Sequence, residues 1–220
     1  MSMIKLGGIA GIVFAVLLVA AAITTGEPPG GTDSDAEIVA WYEDSGNQWQ
    51  QLISAYLFSG AALTLMLFTG LGLLPLLRAA RRDAATYTSL TLGAAVMTAV
   101  ALFAGGIGIA AVGASALFDD DPVDPGVARF LDGIGYGSLL IWGGLSAALL
   151  IAVVSAAVLR ERILPVWFGW LGVLAAIVLL FAVIFVPMLA LPVWALVAGV
   201  LMLMGTTGGA AATGTAQTEP

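Results

Sequence analysis

Two clusters of residues have the side chains for chemistry. The first is acidic: Asp119-Asp120-Asp121-Pro122-Val123-Asp124-Pro125-Gly126, with Asp132 further on. Calcium takes carboxylate and carbonyl oxygens, and a helix–loop–helix calcium loop needs them at fixed offsets. A register opening at Asp121 puts Gly126 at the turn position and Asp132 at the closing one, yet Val123 and Pro125 fall where side-chain oxygens are required. The register fails, so the segment reads as a solvated acidic loop and no metal site is expected. The second cluster is basic. Arg78, Arg81 and Arg82 are candidate contacts for anionic lipid headgroups, at about 1 kcal/mol each near a charged membrane surface, and they also set topology.

The rest of the catalytic inventory is thin. The chain has no Cys and no His. Thiolate nucleophiles, disulfides and Cys-ligated metals drop out, and with His go the commonest general base and the main zinc and haem ligand. No phosphate loop, nucleophile elbow or dinucleotide fingerprint is present. The sequence therefore reads as non-enzymatic, without a cofactor and without a nucleic-acid partner.

Side chains need elements to hold them. Of 220 residues, 60% are hydrophobic and 10% are charged, where a soluble domain carries about 25% charged. Mean hydropathy is +1.06. So much apolar sequence needs an apolar solvent as well as a core. A helix crosses a hydrocarbon layer of about 30 Å with roughly 20 apolar residues, and the runs predict an all-α polytopic bundle of six transmembrane helices. The predicted spans are about 4–23, 49–77, 87–117, 134–159, 164–186 and 192–205, in one domain over 1–205. The first is longer than a signal-peptide core and is expected to stay in the bundle. The last is short for a crossing unless it borrows Leu189–Leu191, and Pro187 and Pro192 are expected to bracket a tight reversal. Residues 206–220, small and polar, read as a disordered cytoplasmic tail.

Between the first two spans, Ser34-x-x-Glu37 is a capping box. It opens a short helix whose Ile38, Val39, Trp41 and Tyr42 would lie along the membrane surface on the extracytoplasmic side. Basic residues orient the rest. Lys5, Arg78, Arg81, Arg82, Arg160 and Arg162 fall on one side of the predicted spans, and most acidic residues fall on the other with Arg129. Both termini are then cytoplasmic, in the cell membrane. Interfacial anchors are expected at Trp41, Trp49, Trp167, Trp170 and Trp194.

Within the spans the polar residues are hydroxyls: Ser54, Tyr56, Ser59, Thr64 and Thr69, then Thr91 and Thr98, then Tyr136, Ser138, Ser146 and Ser155. They could line a polar path or a headgroup pocket. Their spacing selects no single face, which favours hydroxyls bonded to a carbonyl one turn back. No Asp, Glu, Lys or Arg lies deep in a predicted span, which argues against proton-coupled transport. Small residues at spacing four, such as Gly7/Gly11, Gly106/Ala110/Ala114, Gly133/Gly137 and Gly144/Ala148, suit close helix packing inside one bundle.

The run Leu164-Pro165-Val166-Trp167-Phe168-Gly169-Trp170-Leu171-Gly172, with Asp35-Ala36-Glu37-Ile38-Val39-Ala40-Trp41-Tyr42, resembles uncharacterised actinobacterial six-helix membrane proteins of the domain-of-unknown-function type. The resemblance spans about 4–205. It implies a fold and no activity, substrate or catalytic residue. The expected role is a structural or accessory protein whose partners are membrane lipids. The alternative is a passive small-molecule or lipid transporter or channel without proton coupling.

Overall fold

Ser2 starts the first helix by accepting the Lys5 amide at 3.4 Å, and α1 then runs Met3–Thr24. The computed structural model describes residues 2–29, 32–80, 83–118, 122–184 and 186–205. Arg81, Arg82, Asp119–Asp121 and the expected tail lie outside these. Helix α2, Asp35–Glu43, forms as the capping box requires: Ser34 Oγ accepts from the Glu37 amide, and Glu37 Oε2 accepts from the Ser34 amide at 2.9 Å. The Ser34 hydroxyl also donates to Glu37 Oε2 at 2.8 Å, and this bond, with that from the Ser34 amide, stabilises the charged carboxylate and holds its pKa below the ordinary value.

Helix α3, Ser45–Arg78, is continuous but widens into a π turn at Thr69–Leu73. Pro75 has no N–H to offer the carbonyl one turn back, and the wide turn just before it absorbs the defect without ending the helix. α4 is Ala84–Phe118, and α5 is Pro125–Glu161 with a π turn at Ser138–Gly143. α6, Val166–Leu179, and α7, Val186–Met204, complete the chain.

Five of these helices (α1, α3, α4, α5 and α7) are long and apolar enough to cross a membrane. The expected fifth span is shorter as helix: α6 has 14 residues, about 21 Å at 1.5 Å per residue. A 3₁₀ turn at Ala182–Ile184 follows it. The reversal begins at Leu180, before Pro187, and is not bracketed by Pro187 and Pro192. Val186–Leu189 is already a 3₁₀ turn leading into Ala190–Met204. Pro192 fits inside that helix because first-turn amides have no intrahelical acceptor to lose.

The acidic loop is also shorter than the sequence suggested. Asp124 is a helix cap, its Oδ1 accepting from the Gly126 and Val127 amides at 2.7 and 3.0 Å, and α5 begins at Pro125. Arg129 and Asp132, expected in a loop before a span starting at 134, therefore sit on a helix.

The helices close into a ring in the order α1, α3, α4, α5, α6, α7 and back to α1. Backbones touch where side chains vanish. A Cβ on Gly7 would collide with Gly72, and one on Gly108 would meet Gly135 at 2.7 Å, so α1–α3 and α4–α5 approach as close packing in lipid requires. Gly133 and Gly137 have no neighbour in such reach, and that pair does not serve packing. The core centres on Phe68, Phe168 and Trp194. Phe168 stacks on Trp194 at 5.7 Å between ring centroids, and Phe68 meets Trp194 edge-on at 6.1 Å. Trp194 is 1% exposed. It is a core residue and not the interfacial anchor expected.

Charge divides the bundle into two poles. Lys5, near the Gly7–Gly72 contact, shares one pole with Arg78 at the end of α3, and Arg160 there donates to the Tyr87 hydroxyl at 3.5 Å. The opposite pole holds α2, the start of α5 and most of the described acidic residues, Asp83 and Glu161 excepted.

Candidate functional site

At the acidic pole the ring does not close completely. A cleft of about 840 Å³ opens there, between the end of α1, the first turns of α5 and the Met188–Pro192 start of α7. Its volume falls in the usual range for small-molecule sites. The floor is apolar: Leu18, Phe58, Ile109 and Leu139. The rim is polar, with Thr25, Glu27, Arg129, Asp132 and Tyr136.

One helix supplies most of the chemistry. Arg129, Asp132, Gly133, Tyr136, Leu139 and Leu140 all line the cleft, and their spacing of three and four puts them on one face of α5. The neighbouring face, Ala128 and Gly135, packs against Val112 and Ile109. Gly133 leaves the space above the floor open.

Helix α2 holds this face in place. Ile38 and Tyr42 are 2% and 1% exposed and bury against Val112 and Ala128. So α2 docks on protein, where the sequence suggested it would lie on the membrane surface; only its other side, with Trp41 half-buried, is left to the surroundings. The Tyr42 hydroxyl donates to Asp132 Oδ2 at 2.6 Å. Gln48 Nε2 donates to the Tyr42 carbonyl at 2.8 Å. Burial, together with the Asp132 carboxylate, pushes the Tyr42 phenol well above its ordinary pKa. Arg129 pairs with Asp35 at 2.7 Å and donates to the Asp33 carbonyl at 2.8 Å.

Several buried polar atoms at this pole have no partner. They are Asp132 Oδ1, Arg129 Nε and both amide atoms of Gln51. Elsewhere among the described residues, several hydroxyls are internally satisfied. Thr64, Thr98, Ser146 and Ser155 each donate to a carbonyl one turn back at 2.7–2.8 Å. Thr25 and Ser54 bond each other at 2.6 Å. Thr69 and Thr91 are the buried hydroxyls left without a partner.

The residues singled out from sequence are scattered. Arg78 is exposed at the basic pole, and Trp49, Trp167 and Trp170 are 51–63% exposed on the perimeter. None of them lines the cleft. The residues that do were read as loop or ordinary span. The signal available was Arg129-x-x-Asp132-x-x-x-Tyr136, a helical spacing that the preceding Asp/Pro-rich stretch disguised.

A family model described as domain of unknown function DUF4386 matches residues 6–214. The chain belongs to that family. The match covers the cleft and the seven described helices but for the first three residues of α1, so both belong to the family's domain. No curated protein and no solved structure matches the chain.

Proposed function

We propose that this chain is a non-enzymatic accessory protein of the cell membrane, with both termini cytoplasmic and membrane lipids as its partners, that binds and neither converts nor conducts. One observation carries the reading: the bundle core is tightly filled with apolar side chains. The ring is filled by Phe68, Phe168, Trp194, Leu65, Leu102 and Leu150, each 1% exposed or less, and the Thr98, Ser146 and Ser155 hydroxyls are spent on backbone carbonyls. The orientation rests on the basic pole, since Lys and Arg concentrate on the cytoplasmic side of membrane proteins.

A membrane depth for Asp132 follows from helix geometry. It lies about 43 Å along α5 from Glu161 at 1.5 Å per residue, beyond a hydrocarbon core of about 30 Å. On this reading Asp132 sits at headgroup level, Tyr56 and Tyr136 are the titratable groups left deep within the spans, and no proton coupling through the membrane interior is proposed. Passive lipid transport is the second reading. The exposed side chains Ile23 and Leu189 at the rim favour it, because they give the cleft an edge on the perimeter.

Reconstitution separates the two. Liposomes containing the full chain and a fluorescent phospholipid in both leaflets are treated with an impermeant quencher. An accessory protein leaves the inner-leaflet fluorescence at the protein-free level. Loss of that protected fraction would establish transport.

A further inference from the structure

Two oppositely charged side chains stand one turn apart on the cleft face of α5, and they do not bond each other. Arg129 turns two nitrogens to Asp35 and the Asp33 carbonyl, leaving Nε unpartnered, while Asp132 gives Oδ2 to Tyr42 and leaves Oδ1 unpartnered. Residues three apart on a helix are neighbours at about 5–6 Å, and an Arg and an Asp so placed ordinarily pair. Here each is held by a different anchor. A carboxylate oxygen and a guanidinium N–H withdrawn from water without partners are costly, and both belong to residues lining one cleft.

We propose that the cleft is a binding site for one zwitterionic phospholipid, of the phosphoethanolamine headgroup type, taken from the surrounding membrane. The ammonium meets the Asp132 carboxylate, the phosphate meets the Arg129 guanidinium, and an acyl chain lies over Leu18, Phe58, Ile109 and Leu139. This deepens the accessory reading and rests on it. Charge selects the headgroup. Arg129 is already neutralised by Asp35, whereas Asp132 and the exposed Glu27 at the rim have no basic partner among the described residues. The ammonium end is therefore favoured over a second anion. The apolar floor requires a tail, and a headgroup alone leaves most of the cleft unfilled.

The test uses the full chain purified in a neutral detergent, labelled by a photoactivatable phosphatidylethanolamine and mapped by peptide. Labelling is expected in the segments around 18–29 and 129–140. Unlabelled phosphatidylethanolamine should compete, phosphatidylglycerol should compete roughly tenfold less well for want of the charge-assisted contact, and free phosphoethanolamine should not compete. Asp132→Asn should lower labelling by a similar factor. Leu140→Trp, which fills the cleft without touching the charged pair, should lower it with the melting temperature retained, and it decides the matter if Asp132→Asn unfolds. Labelling spread evenly around the perimeter, equal competition by phosphatidylglycerol, or full labelling of a folded Leu140→Trp would overturn the proposal. If the lipid is bound as described yet also crosses the bilayer in the quenching assay, the accessory reading fails and the site stands.

Discussion

The Tyr42 hydroxyl reaches Asp132 Oδ2 at 2.6 Å across 90 positions of sequence. That bond ties the short helix α2 to the charged turn of α5 and sets the rotamer of the carboxylate facing the cleft. Tyr42→Phe keeps the ring in its pocket against Val112 and Ala128 but strips Asp132 of its partner. The expected loss is about 1–3 kcal/mol, the cost of an unsatisfied buried polar group, read as a lower melting temperature in detergent. Amide exchange should rise over 35–43 and little elsewhere. An unchanged melting temperature with α2 still protected would show that the bond contributes nothing.

The same bond makes stability depend on alkaline pH. The folded phenol of Tyr42 titrates above its ordinary value, first because it is buried and second because Asp132 accepts its proton. A raised folded pKa favours the neutral form. The contribution is complete below the unfolded pKa of about 10 and is lost as pH rises above it towards the folded value. Unfolding free energy measured from pH 8 to 11.5 should fall for the wild type above pH 10, and less steeply for Tyr42→Phe. Parallel curves for the two proteins would contradict the shift.

Gly108 is set against the Gly135 backbone, where an added Cβ would sit 2.7 Å from Cα. Gly108→Leu should force α4 and α5 apart and lower stability by about 1–3 kcal/mol or more, as overpacking does. Gly133→Ala, at a position with open space around it, is the matched control and should be close to neutral. Unfolding in a denaturing detergent titration distinguishes them, and similar midpoints for both would refute the packing argument.

The division into poles predicts sidedness. Because the chain has no Cys, single cysteines at Ser34 and Ala80 report without background. In intact cells an impermeant thiol reagent should label Ser34→Cys and should reach Ala80→Cys only after the cells are opened. The opposite pattern would invert the orientation drawn from the Lys/Arg bias.

Much of the architecture was determined by the sequence alone, because its causes are local or additive. Apolar run length gives α1, α3, α4, α5 and α7 wherever they pack. The capping box at Ser34 and Glu37 starts α2 through contacts three residues apart, and charge segregation is a sum over loops. The tertiary structure decided what depends on partners distant in sequence. The amphipathic pattern of α2 fits a membrane surface and a protein groove equally well, and only Val112 and Ala128 settle that Ile38 and Tyr42 enter the groove. Trp194 looks like an anchor until Phe168 and Phe68 are seen around it. Asp132 reads as a loop acid until Asp124 is seen to cap α5 at Pro125. The cleft, in turn, exists because α1 and α5 stand apart across the ring at one end, and no local run of residues encodes a gap between two helices.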